Sequence, residues 1–175
     1  MLIIAGLGNP GQQHETTRHN VGFMALDALA EEFGLKWTNS KKFKAAVAKN
    51  ADFILLKPQT FMNDSGQAIA AALAYYKLQP ENLTVIHDDL DIPLGKYKFS
   101  VASRSAGHKG VQSIIDRLNT KNFKRLRIGI KTPTLEKIPA DKFVLQKFGV
   151  SELKAIKKLI TQIKKRVGLS QLSFL

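Results

Sequence analysis

"LIIAGLGNPG", residues 2–11, begins as a buried strand and breaks at a glycine-rich turn. Residues 2–5 are apolar without alternation, as expected of a short strand inside an α/β sheet. The turn Gly6-Leu7-Gly8-Asn9-Pro10-Gly11 formally matches the G-x-G-x-x-G dinucleotide fingerprint. That fingerprint needs a helix opening directly on the glycines and an acidic residue about 20 positions on, at the end of the next strand. Neither is found. Pro10-Gly11 signals a turn, residues 12–17 are polar and aperiodic, and Asp27, Glu31 and Glu32 fall inside the next helix. The dinucleotide reading is set aside, and the glycines are left to bring backbone and Asn9 close to a ligand.

Composition narrows the class. A chain of 175 residues with 44% hydrophobic content suits one globular domain, residues 1–175, with one sizeable core. There is no cysteine, so disulfides and thiolate metal sites are excluded. The four histidines, His14, His19, His87 and His108, show no recognisable zinc spacing, and no metal or cofactor is expected. The N-terminal apolar run lacks the basic flank of a signal peptide, and no segment is long enough to cross a membrane. The expectation is a soluble cytoplasmic protein with no membrane partner. Charge is uneven: residues 1–95 hold 8 Lys and Arg against 10 Asp and Glu, and residues 96–175 hold 19 against 4. The net +13 therefore gathers in the second half. Such asymmetry favours a polyanionic partner, nucleic acid before acidic lipid.

Strand and helix patterns alternate along the chain. A helix follows Asn20 as cap, carries Val21, Met24, Leu29 and Phe33, and closes at Gly34. Residues 43–49 and 53–57 read as strands, with Pro58 stopping the second. Ser65–Tyr76 is helical, 83–87 a buried strand, 96–101 an edge strand, 108–118 a helix and 126–130 a strand. Ser151 opens a last helix with Leu153, Ile156, Ile160, Ile163 and Val167 inward. The fold class is α/β, a mixed sheet flanked by helices, without repeats or a linker.

Polar residues follow three of the strands: Asn9, Asn63 in "KPQTFMNDSG", and Asp88 in "VIHDDLDIPLG". Ligands of open α/β sheets sit outside the carboxyl ends of the strands, so these three converge if the strands are parallel neighbours. His19, in "TTRHNVGF", can reach the same rim, and "SRSAGHKGV" precedes a helix whose N-terminus favours anions. A His–Asp pair suits general-base activation of water, and Asn amides can donate to a developing oxyanion. By residue type alone, His19 with Asp88 is equally a structural hydrogen bond, and either Asn alone is more often turn chemistry than catalysis. No G-x-S-x-G elbow or cysteine supports an acyl-enzyme.

Six blocks, "GLGNPG", "TRHNVGF", "TFMNDSG", "HDDLDIPLG", "GHKGVQSII" and "FKRLRIGI", together resemble the bacterial-type peptidyl-tRNA hydrolases, in that family's order and over residues 3 to about 148. The resemblance implies a monomeric, metal-free esterase acting on ribosome-released peptidyl-tRNA. It puts the catalytic base on His19 and the supporting carboxylate on Asp88, rather than Asp89 or Asp91. It gives Asn9 the discrimination of blocked from free amino groups. Phe61, Met62 and Asn63 fall at tRNA or peptide contacts, His108 in the adjoining loop, and Arg127 at a basic tRNA-associated position. Lys98, Arg104 and the Lys157, Lys158, Lys164 and Lys165 face of the last helix are further candidates for phosphate contact.

This chain departs from the family's pattern at several places. His14 stands where tyrosine is usual, Lys109 replaces the asparagine of "GHNG", and Ser103-Arg104-Ser105 replaces a glycine-rich run. The rival reading is a non-catalytic RNA-binding relative, which would keep the basic face and could dispense with the base. Retention of His19, Asp88, Asn9 and Asn63 favours the enzyme.

Overall fold

Seven strands form one sheet in the order β2-β3-β4-β1-β5-β7-β6. They are β1 (Leu2–Gly6), β2 (Thr38–Ser40), β3 (Ala45–Lys49), β4 (Phe53–Pro58), β5 (Leu83–Pro93), β6 (Tyr97–Val101) and β7 (Lys124–Lys131). The helices are α1 (Val21–Glu32), α2 (Ser65–Tyr76), α3 (Lys109–Leu118), α4 (Ala140–Leu145) and α5 (Val150–Leu169). This computed structural model describes residues 1–169, with side chains over residues 1–165. The inward placement expected for Val167 lies outside the described side chains.

Strands β4, β1, β5 and β7 run parallel, while β3 pairs antiparallel with β4 and β6 antiparallel with β7. The sheet is thus mixed, with β6 on an edge as expected. Successive side chains of a strand point to opposite faces. Ile4, Leu55, Ile86 and Leu126 therefore enter one layer, with the apolar stripes of α1 and α5. Ile3, Ala5, Ile54 and Val85 enter the other, with those of α2 and α3. Each of the Ile, Leu and Val side chains, fully buried, contributes about 1.5–3 kcal/mol.

Two glycines set how closely α1 lies on the sheet. A Cβ on Gly6 would collide with the Gly22 carbonyl oxygen, and one on Gly22 with the carbonyl oxygens of Ile86 and Leu7. Backbone-to-backbone approach there places the segment before α1 over the ends of β1 and β5. That segment carries His19.

The structure differs from the sequence expectations in a few places. Strand β5 runs on to Pro93, so Asp88 lies within the strand rather than after it. The ladder with β7 is irregular between Asp89 and Pro93, which marks the end of regular pairing. Residues 43 and 44 belong to the turn before β3, where Lys44 adopts φ 50°. Asn20 occupies the N-cap of α1 but makes no capping bond. Its amide has another task.

Candidate active site

Because β4, β1 and β5 are parallel neighbours, the segments leaving them open on one side. After β1 the chain makes the tight glycine turn, with Gly11 at φ 105°, a conformation glycine adopts without penalty. Asn20 clamps the turn: its Oδ1 accepts from Asn9 N at 2.9 Å, and its Nδ2 donates to Asn9 O at 2.9 Å. This is the task that draws Asn20 away from capping α1. The Asn9 side chain is oriented in turn, because its Oδ1 accepts from Met62 N at 2.9 Å. The Nδ2 end of Asn9 is then the one free to donate.

Asp88 is the electrostatic centre. Its Oδ1 and Oδ2 accept from His19 Nδ1 at 2.8 and 3.0 Å, and Oδ1 also accepts from His108 Nε2 at 2.9 Å. Burial works to raise this carboxyl's pKa, but His19 and His108, through charge and N–H donation, hold it well below the usual carboxylate range. His108 caps α3, its Nδ1 accepting from Val111 N at 3.3 Å. That bond leaves the proton on Nε2, facing Asp88. Behind them, burial and then the neighbouring His108 push His87 well below its ordinary pKa. Neutral His87 donates from Nδ1 to the Asp88 carbonyl oxygen at 2.6 Å.

With Nδ1 of His19 engaged, Nε2 is the nitrogen left for a reactant. His19, Asp88 and His108 bring ligand-type atoms within 4.8 Å of one another, a proximity the histidine spacing in the sequence did not reveal. His19 Nδ1 and His108 Nε2 each donate to the Asp88 carboxylate, which links the three side chains by direct hydrogen bonds.

The cluster lines a cleft of about 660 Å³. Asn9, His19, Phe61, Met62, Asn63, Asp88, His108 and Lys109 all line it, bringing together most of the residues expected at the site. Phe61 is 66% exposed, a large apolar ring presented to whatever enters. Four expected residues do not line the cleft. His14 lies in a short 3-10 turn, its carbonyl oxygen accepting from Thr17 N and Oγ1 at 2.9 and 2.8 Å. Arg104 is exposed, and its backbone oxygen accepts from Arg125 Nη2 at 2.9 Å. Lys98 is exposed on the edge strand. Arg127, its register partner, donates from Nε to Asp89 Oδ2 at 2.7 Å, so it reaches the cleft only through that carboxylate. On α5, Lys164 pairs with Glu32 at 3.0 Å, which removes it from the free basic face.

Sequence reasoning missed the wall made by Ala140, Val144 and Leu145 of α4. A helix of six residues is too short to show periodicity, although Pro139 ahead of it was a start signal. Asp91 and Asp141, acidic lining residues of the cleft, were also unexpected. The link from Arg18 to Glu152, bidentate at 2.9 and 3.0 Å, ties the turn bearing His19 to α5.

Known proteins resemble this chain over nearly its whole length. The family model for peptidyl-tRNA hydrolase matches residues 3–172. A protein named peptidyl-tRNA hydrolase from Thermoanaerobacter sp. (strain X514) is 48% identical over 164 residues, covering 91% of this chain and 87% of its own. One of the same name from Metamycoplasma arthritidis is 42% identical over 160 residues, covering 91% and 86%. The crystal structure of peptidyl-tRNA hydrolase from Acinetobacter baumannii superposes with a TM-score of 0.89 at 32% identity, over 97% of this chain and 87% of that one. Sequence and fold agree: the chain belongs to the peptidyl-tRNA hydrolase family.

Proposed function

We propose that this chain hydrolyses the ester between the peptide carbonyl and the terminal ribose of peptidyl-tRNA, with His19 as general base. Nε2 of His19 takes a proton from water as the oxygen attacks the carbonyl carbon. Asp88 holds the ring through Nδ1 and stabilises the imidazolium that forms. Asn9 Nδ2, fixed by the Met62 bond, is a neutral donor for the developing oxyanion or the bound acyl group. Collapse of the tetrahedral intermediate breaks the ester C–O bond. The proton on His19 passes to the departing ribose oxygen, leaving a free carboxylic acid and the tRNA hydroxyl.

The observation that carries this reading is the Asp88–His19 contact at 2.8 Å, with the second ring nitrogen left free in a cleft lined by Asn9. Lys109, Phe61 and Asn63 are positioned to meet the nucleotide or peptide portions. A cytoplasmic site of action follows from the substrate.

The test is deacylation of N-acetyl-aminoacyl-tRNA beside unblocked aminoacyl-tRNA. Fast release from the first and slow release from the second is expected. Retained tRNA binding with no release from either would assign the chain to a non-catalytic RNA-binding role.

A further inference from the structure

Lys42, Lys44 and Arg117 line a second concavity, of about 350 Å³, with Ala70 and Ala71 of α2 in its walls. No carboxylate lines it. Among the described residues, Lys44 Nζ donates to Gln67 Oε1 at 3.3 Å, Lys42 Nζ lies 3.7 Å from the centre of the Tyr75 ring, and none of the three cations has an acidic partner. Tyr75 is 54% exposed and packs against Phe43 at 5.4 Å between ring centres. Lys44 also stands at φ 50°, where a non-glycine residue is disfavoured by about 1–2 kcal/mol. Three uncompensated cations around one hollow repel one another, and a polyanion relieves that repulsion.

The hollow and the cleft are lined by different residues, but α3 serves both, with Lys109 at the cleft and Arg117 at the hollow. Its α2 residues begin at Gln67, just beyond the segment carrying Met62 and Asn63, and α2 packs against α3 where Ser113 Oγ accepts from Gly66 N at 3.0 Å. Arg117 lies eight residues beyond Lys109 on α3, about 12 Å along the helix axis. An RNA strand whose end occupies the cleft can reach that far with its next nucleotides. Cations beside an aromatic ring suit a ribose–phosphate backbone with an unpaired base.

We propose that Lys42, Lys44, Arg117 and Tyr75 form a second RNA-contact surface, which holds the tRNA backbone away from the ester. This rests on the substrate proposed above. The surface joins cations from the acidic first half of the chain to one from the basic half, so the count of charges by halves concealed it.

The test compares the parent protein with Lys42→Gln/Arg117→Gln and with the charge-conserving Lys42→Arg/Arg117→Lys. Three quantities are measured: affinity for uncharged tRNA across a salt series, and KM and kcat for N-acetyl-aminoacyl-tRNA. The neutral pair should weaken tRNA binding and raise KM at least roughly fivefold, and lower the log–log salt slope by about 1.4–1.8, leaving kcat unchanged. The charge-conserving pair should retain most of the binding. If the parent protein deacylates the substrate and the neutral pair changes neither KM nor slope, the surface is overturned and the proposed function stands. A fall in kcat would equally overturn it as a remote contact. If the parent protein binds tRNA without deacylating it, and the neutral pair loses slope, the hydrolase reading fails and the surface stands.

Discussion

Asp88 receives N–H groups from two imidazoles, and each ring is fixed by a different neighbour. His108 is turned by the Val111 amide of α3, which makes it a donor toward Asp88. His19 has only Asp88 on its Nδ1, so its other nitrogen keeps a lone pair. Asparagine at position 88 could accept one N–H but would present its own amide to the other. Asp88→Asn should therefore fold normally, lose about 10²-fold or more in turnover, and move the acid limb of its pH–rate profile to lower pH. An unmoved profile would break the proposed pairing. Lys109, exposed at the first position of α3 and lining the cleft, offers donors only and opposes the helix dipole. It can hold a phosphate or ribose but, while charged, cannot accept a hydrogen bond from the attacking water. Lys109→Asn should raise kcat and lower the salt slope of tRNA binding by up to about one contact. If kinetics and slope are both unchanged, Lys109 lies outside the working site.

Among the elements, the short turn Arg18–Asn20 controls the site more than any long helix does. Arg18 is 4% exposed, stacks over Phe143 at 4.4 Å, and grips Glu152 of α5. Burial works to raise the Glu152 carboxyl, but hydrogen bonds from Arg18 and the Gly149 amide hold it below its ordinary value. Arg18→Ala should cost about 2 kcal/mol in denaturant unfolding, less than a fully buried pair because Glu152 is partly solvated. It should also lower kcat, by loosening His19. Lost activity at unchanged stability would instead mean that Arg18 meets the substrate.

None of that link is visible in sequence, since 134 residues separate the partners. What periodicity could reveal, it did. Ser65–Tyr76 emerges with both ends as expected, and the parallel run of β1, β4 and β5 brings Asn9, Asn63 and Asp88 to one rim. Strand β2 is three residues of polar sequence and α4 six residues, too short to show a period. Asn20 fits the cap pattern, but its amide bonds the Asn9 backbone instead, a tertiary competition that local spacing does not show. Basic residues were harder still. Their type suggests phosphate contact, but only the structure shows Arg127 held by Asp89 and Lys164 by Glu32.

At the scale of the whole molecule, the buried histidine behind the site couples folding to pH. His87 stays neutral when folded, well below the 6.5 of the free side chain. Below that value the unfolded chain binds a proton that the folded chain refuses, so stability should fall as pH drops, by up to about 1.4 kcal/mol per unit from this group. Asp88 and Glu152 are depressed carboxyls, and their contribution is lost only at more acidic pH. His87→Gln should therefore narrow the difference in denaturation midpoint between pH 5.5 and 7.5, a window set by His87. An equally steep change in that variant would place the proton uptake elsewhere.

The molecule's central claim rests on one nitrogen, Nε2 of His19. Steady-state deacylation of N-acetyl-aminoacyl-tRNA by His19→Ala, with tRNA affinity measured on the same preparation, tests it most directly. Turnover should fall by roughly two or more orders of magnitude while affinity stays within about twofold, as expected when a general base is removed from an intact binding surface. Turnover close to that of the parent protein would contradict the assignment of the base to His19.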